Sequence, residues 1–283
     1  SQSVRQNIAE QLTDADGYDY QPDVSPDGTK VVFVRYNGIS VELMLFDLIN
    51  KQTFRLTDNK AVNLEPRWSP DGQSIVYVST MKTGHFLVYR AEIKSGKLEN
   101  IQCLTPDHQS IVKRYYYSSW DHGINPVWSS DGKGVFYVSN NEVPHGTGDL
   151  VYLNLKDGVV KKIQHEETNW RMRPDISPDG SRMVYSSYQG RGYHQLWLLP
   201  VEGGYPFPLT YGEFDNVNPR WSPDGTHLAF LSDRQKPKSQ IYLIPTDGGE
   251  ARAVHGHRVA HRHLGREGGH ADDDARAIGL GRH

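Results

Sequence analysis

Five copies of one turn constrain what this chain can fold into: Ser25-Pro26-Asp27-Gly28, Ser69-Pro70-Asp71-Gly72, Ser129-Ser130-Asp131-Gly132, Ser177-Pro178-Asp179-Gly180 and Ser222-Pro223-Asp224-Gly225. Their serines lie 44, 60, 48 and 45 residues apart, and a proline stands three residues ahead of each (Pro22, Pro66, Pro126, Pro174, Pro219). A period in the forties marks a repeat architecture rather than a chain of separate domains. The chemistry of the turn is local. Proline presets φ, aspartate bonds back to nearby backbone, and glycine takes the left-handed position. Each copy therefore reads as a hairpin tip.

An apolar run follows every turn, over 31–34, 75–78, 135–138, 183–185 and 228–231. These runs are nearly continuous, as in strands covered on both faces. A loop and a second run come next, over 41–48, 86–91, 150–155, 196–199 and 241–244, and a short outer run closes each unit at 54–57, 102–105, 161–163, 208–210 and 251–254. Four antiparallel strands in about 45 residues make one propeller blade. The expected blades are 17–57, 61–105, 120–164, 169–210 and 214–255, within one propeller domain over 1–255. Residues 7–13 resemble an outer strand without the three that should precede it, which implies ring closure and six-blade geometry.

The inner strands of that sixth blade would have to come from 256–283. This segment holds five His, five Arg and six Gly, with no aromatic residue and no Lys. It reads as an atypical or incomplete sixth blade, as a solvated polar tail, or as out-of-frame sequence. Its scattered apolar residues bury too little area to offset chain ordering. Its histidines are poor ligand candidates.

Composition narrows the function classes. The net charge of −3 is interspersed along the chain, so nothing points to nucleic acid. No run approaches the ~18 apolar residues of a membrane-spanning helix. The single cysteine, Cys103, excludes an internal disulfide. The chain carries 16 tyrosines, and Trp68, Trp128 and Trp221 share one slot before the turn, where blades pack on one another.

In a propeller the connections entering each inner strand share one face with the loops joining the second and third strands. Before the tail, His85, His108, His122, His145, His165 and His194 all fall in or beside these connections. Immediately ahead of the entry prolines stand Gln21, Glu65, Asn125, Arg173 and Asn218, polar residues expected to face a hydrated central channel. Trp170, Arg171 and Asp215 lie near the same mouth, and with the ring they make the candidate binding residues. Asp121 and His122 are the candidate acid/base pair. His122, His145, His165 and His194 are candidate ligands for a divalent metal, although no His-x-His or His-Glu-x-x-His spacing supports them. Two insertions enlarge this face: one over 105–119 containing Tyr115-Tyr116-Tyr117, and the loop 140–148. Long loops on a rigid scaffold are where binding usually resides. No Gly-x-Ser-x-Gly nucleophile turn occurs, which argues against serine hydrolysis within this chain.

The unit Pro219-Arg220-Trp221-Ser222-Pro223-Asp224-Gly225, with Pro66-Arg67-Trp68-Ser69-Pro70-Asp71-Gly72, resembles the TolB-type six-bladed propeller repeat, and the resemblance covers about 7–255. Similar propellers precede the catalytic domains of prolyl-oligopeptidase-like and amidohydrolase-like hydrolases, and oligogalacturonate lyases use a related propeller with a His-bound metal. The resemblance implies an all-β propeller that acts as a binding or substrate-gating module, periplasmic or secreted and the N-terminal part of a larger hydrolase, with catalysis by this chain alone left open. It also implies a partner that is a protein, a peptide or a small polar ligand at the channel mouth. The alternative is a stand-alone metal-dependent hydrolase or lyase with a His-lined site.

Overall fold

The computed structural model describes residues 11–114, 119–145, 148–165, 173–188, 192–235 and 238–254. Its strands form five four-stranded antiparallel sheets, each with its strands in sequence order. This is an all-β propeller, and each sheet is one blade. The inner strands are Tyr18–Val24, Asn63–Trp68, Gly123–Trp128, Asp175–Ile176 and Asn216–Trp221. The outer strands are short, down to the two residues Phe207–Pro208 and Arg252–Ala253 in blades 4 and 5.

Every repeated turn has the same internal geometry. In the first, Gly28 N–H donates to the Ser25 carbonyl at 2.8 Å, Ser25 Oγ donates to Asp27 Oδ1 at 2.6 Å, and Thr29 N–H donates to the same oxygen at 3.0 Å. The turn glycines have φ between 67° and 73°, the left-handed region that only glycine enters without strain. Successive tips also touch. A Cβ built on Gly180 would lie 2.1 Å from Ser130 Oγ, and one on Gly72 would lie 3.5 Å from Pro26. The same turn therefore makes each hairpin and sets the spacing between blades.

The core lies between sheets. Val32, Val34, Leu43 and Leu45 of blade 1 pack with Ile75, Tyr77, Leu87 and Tyr89 of blade 2. Met183, Tyr185, Trp197 and Leu199 of blade 4 join Phe136 and Val138 of blade 3. In blade 2 the second strand, Ser74–Ser79, is buried at every residue, so both faces are covered. Blade 5 differs. Its second strand, His227–Ser232, alternates buried and half-buried residues, and Ile241 on the next strand is half exposed.

The count differs from the six-blade geometry that the orphan strand implied: the described residues give five blades. Gln11 to Thr13 carry no strand, and 7–10 and the segment 256–283 lie outside the described residues. Blades 1 to 5 pack in chain order, each on the next, and no contact of comparable extent joins blade 5 to blade 1 among the described residues. No helix of the described residues is long and apolar enough to cross a membrane.

Candidate functional site

In blades 1, 2, 3 and 5 the residue ahead of the entry proline sits in a bulge of the inner strand, where the ladder to the second strand skips, and in blade 4 it precedes the strand. All five have left-handed backbone: Gln21, Glu65, Asn125, Arg173 and Asn218 have φ of 51°, 57°, 52°, 33° and 56°. Turning the chain left-handed takes the amide out of its own ladder and aims it at the preceding blade. There a side chain accepts it. Glu65 N–H donates to Gln21 Oε1 at 2.9 Å, Asn125 N–H to Glu65 Oε2 at 2.6 Å, and Arg173 N–H to Asn125 Oδ1 at 3.4 Å. Asn125 Nδ2 also donates to Glu65 Oε1 at 2.5 Å. The ring residues are thus more than a wetted channel lining. They form a relay that fastens blade to blade.

One step past the proline, Asp23, Arg67, Val127, Asp175 and Arg220 make a second ring. Arg67 spans the channel, with Nε 3.2 Å from Asp23 Oδ1 and its other end bonded to Asp175 Oδ1. The second oxygen of each aspartate accepts the next blade's backbone: Trp68 N–H reaches Asp23 Oδ2, and Trp221 N–H reaches Asp175 Oδ2, both at 2.8 Å. Burial pushes the Asp23 carboxyl above its ordinary pKa against the pull of Arg67, and it does the same to Glu65 against Arg173 and the Asn125 donors. Burial would lower Arg67, yet Asp23 and Asp175 hold it above the ordinary guanidinium value. Arg220 goes the other way, down to about 10, because of burial first and the positive charge of Arg67 second. Gln21, Glu65, Arg67, Asn125, Arg173 and Arg220 surround a cavity of about 30 Å³.

On the connection face a second cavity of about 280 Å³ opens at blade 3. The insertion ahead of this blade builds its wall. Arg114, buried, donates to Asp121 Oδ1 at 2.6 Å, to the Val143 carbonyl at 2.9 Å and to the Asn140 carbonyl. It therefore ties the insertion to the loop between the second and third strands. The other oxygen of the buried Asp121 lies 3.1 Å from His108 Nδ1. The cleft is also lined by His122, Ser139, Glu142, Asp149 and Lys162.

Both members of the acid/base pair expected from sequence, Asp121 and His122, line this cleft. Asp121 pairs with His108 and Arg114, whereas the His122 amide donates to Asn140 Oδ1 at 2.7 Å. The expected metal set is dispersed. His165 Nδ1 lies 2.6 Å from Asp149, His194 Nδ1 lies 3.1 Å from Asp215, and His145 is exposed. Among the described residues no group of three or more His, Cys, Asp or Glu could hold a metal ion. Asp215 also accepts the His194 amide at 2.8 Å, so it orders a loop of blade 4. Trp170, Arg171 and Tyr115 to Tyr117 lie outside the described residues. Sequence reasoning missed Arg67, Arg220, Asp23, Asp175, His108 and Arg114. The first four carried a readable signal, since opposite charges share one position of the repeat.

Comparison with known proteins agrees with this architecture. The profile described as the TolB beta propeller domain matches residues 2–112 and 105–268. The chain belongs to the TolB β-propeller family. It is 28% identical over 214 residues to the Tol-Pal system protein TolB of Francisella tularensis subsp. tularensis, an alignment spanning 74% of this chain and 45% of that protein. The chain thus spans less than half the length of this curated relative. Among solved structures, TolB from Acinetobacter baumannii superposes with a TM-score of 0.67 at 20% identity, over 85% of this chain and 57% of that one. A Mycobacterium tuberculosis puromycin-hydrolyzing peptidase gives 0.60 at 15% identity, over 85% and 37%. An oligogalacturonate lyase in complex with manganese gives 0.55 at 18%, over 84% and 65%. At these identities the likeness is one of fold.

Proposed function

We propose that this propeller is a binding or substrate-gating module that receives a protein, a peptide or a small polar ligand on its connection face. The observation that carries this reading is the blade 3 cleft. An insertion held down by the buried Arg114 opens about 280 Å³ of polar space beside the channel mouth, lined by side chains of both signs. Such a wall is costly to build for packing alone, whereas rigid scaffolds commonly carry binding on inserted loops. The TolB relatives, named for the Tol-Pal system, favour a protein partner and a periplasmic location. The peptidase propellers favour a role ahead of a hydrolase domain. On this reading Gln21, Glu65, Asn125, Arg173 and Asn218 shape the channel beneath the ligand, with Asp121, His122 and Asp215 at its rim.

We also read the ring as having six-blade geometry. Blades 1 and 5 do not pack on each other among the described residues, and blade 5 keeps one incompletely covered face. Residues 256–283 are then an atypical filler of that slot or a tail.

The test of function is titration of the full chain with a purified Pal protein of the Tol-Pal system, followed by calorimetry. Binding that weakens at least about tenfold in His122→Ala or Lys162→Ala supports the reading, tenfold being the loss of about 1.4 kcal/mol. Turnover of esters, sugars or peptides by the chain, abolished in His108→Ala, would replace it with an enzyme.

A further inference from the structure

The relay between blades runs in one direction and stops at blade 4. Gln21, Glu65 and Asn125 each present an acceptor to the amide of the next blade. The corresponding side chain in blade 4 is Arg173, which has only donors. Asn218 in blade 5 repeats the left-handed bulge at φ 56°. Among the described residues no side-chain acceptor meets its amide.

The neighbouring charges do not resolve this. The carboxylates of Asp23 and Asp175 are engaged by Arg67 and by the amides of Trp68 and Trp221. Both oxygens of Glu65 are bonded to Asn125. Among the described residues Arg173 has no carboxylate within ion-pair distance, and Arg220 donates from NH1 to the carbonyl of Pro219 at 3.0 Å. Both guanidinium groups line the same cavity of about 30 Å³. Buried polar groups in native proteins find partners, and a guanidinium matches a planar carboxylate better than any other group.

We propose that this cavity is an anion site, in which the guanidinium groups of Arg173 and Arg220 hold one carboxylate or halide. The carboxylate comes either from a free small anion or from an acidic residue that a partner inserts into the channel. This site deepens the binding-module reading and rests on it for the second source. Burial and the positive charge of Arg67 bring Arg220 down to about 10 against the opposing pull of the Asp175 and Asp23 carboxylates.

Chloride is the first probe, read as broadening of the 35Cl resonance by the full chain, with acetate and N-acetyl-aspartyl amide as competitors. Excess broadening should appear in the native protein and be displaced by acetate. Arg173→Gln installs the acceptor that Gln21 provides in blade 1, so it should keep the fold, raise the melting temperature and abolish the excess broadening. Arg220→Gln should weaken chloride binding by about tenfold, the effect of one charged hydrogen bond. Displacement by N-acetyl-aspartyl amide at lower concentration than acetate would identify an inserted acidic residue as the source, and the reverse order a free anion. Broadening that persists unchanged in folded Arg173→Gln, or that is absent from the native protein, overturns the site. Partner binding that survives in Arg173→Gln while broadening persists there leaves the blade 3 reading standing and overturns the anion site. Anion binding without any partner does the opposite.

Discussion

Replacing Arg67 by Met tests whether the channel charges hold the propeller together or merely tolerate one another. Arg67 joins Asp23 of blade 1 to Asp175 of blade 4, and its side chain is 14% exposed. Removing one partner of a buried ion pair leaves an uncompensated charge and costs about 3–5 kcal/mol. At about 2–4 °C per kcal/mol for a domain of this class, the melting temperature should fall by about 6–20 °C. The loss should also depend on pH in a defined sense. Asp23 already titrates above its ordinary value because of burial, and Arg67 is the largest force pulling it down. Without Arg67 the folded pKa rises further. A carboxyl with a raised folded pKa stabilises the fold below its unfolded value, near 3.9, and this contribution is lost as pH rises through the folded value. The deficit of Arg67→Met should therefore be largest at neutral pH and shrink on acidification. Adding Asp23→Asn keeps the acceptor for Trp68 N–H while deleting the stranded charge, so the double variant should recover more than about 1 kcal/mol. Urea unfolding of the three proteins from about pH 7 to pH 5 gives these values. A deficit under about 1 kcal/mol, the worth of an exposed pair, or one that does not shrink in acid, would refute the reasoning.

Asn63 is fully buried, accepts from Ser79 Oγ at 2.8 Å and donates to the Val41 carbonyl at 3.1 Å, so Asn63→Ala should cost about 1–3 kcal/mol in urea unfolding. Asp179 in the fourth turn is held at about 2 by donors from Ser177 and Ser181. Its ionised form stabilises the fold above the ordinary value of 3.8 and loses that effect as pH falls toward 2, so an acid titration of Asp179→Asn should lack this part of the transition. Gly148 has φ of 133°, and a Cβ there would lie 2.2 Å from the Ser139 carbonyl oxygen; Gly148→Ala should cost about 1–3 kcal/mol and loosen the wall of the blade 3 cleft, read by amide exchange in the loop over 140–145. Trp128 Nε1 donates to the Arg67 carbonyl at 3.2 Å, so Trp128→Phe should lower stability by about 1 kcal/mol through loss of one inter-blade hydrogen bond.

The sequence by itself determined the repeat, the hairpins and the strand order. Serine, aspartate and glycine of each tip bond to one another within five residues, so the turn closes on local contacts. The apolar runs after each tip then fix four strands per blade, and the shared tryptophan slot fixes where neighbours pack. Tertiary structure alone decided what the polar residues do. Gln21 and Glu65 are 44 residues apart, Glu65 and Asn125 are 60 apart, and Arg67 and Asp175 are 108 apart. A polar side chain ahead of a proline reads the same in sequence whether it meets water or the next blade's amide. His108 reaches Asp121 because Arg114 pins the insertion against blade 3, a contact made with carbonyl groups that have no sequence signature. The turns were legible because their interactions are local. The site was not, because its partners come from different blades and meet only when the sheets close around the channel.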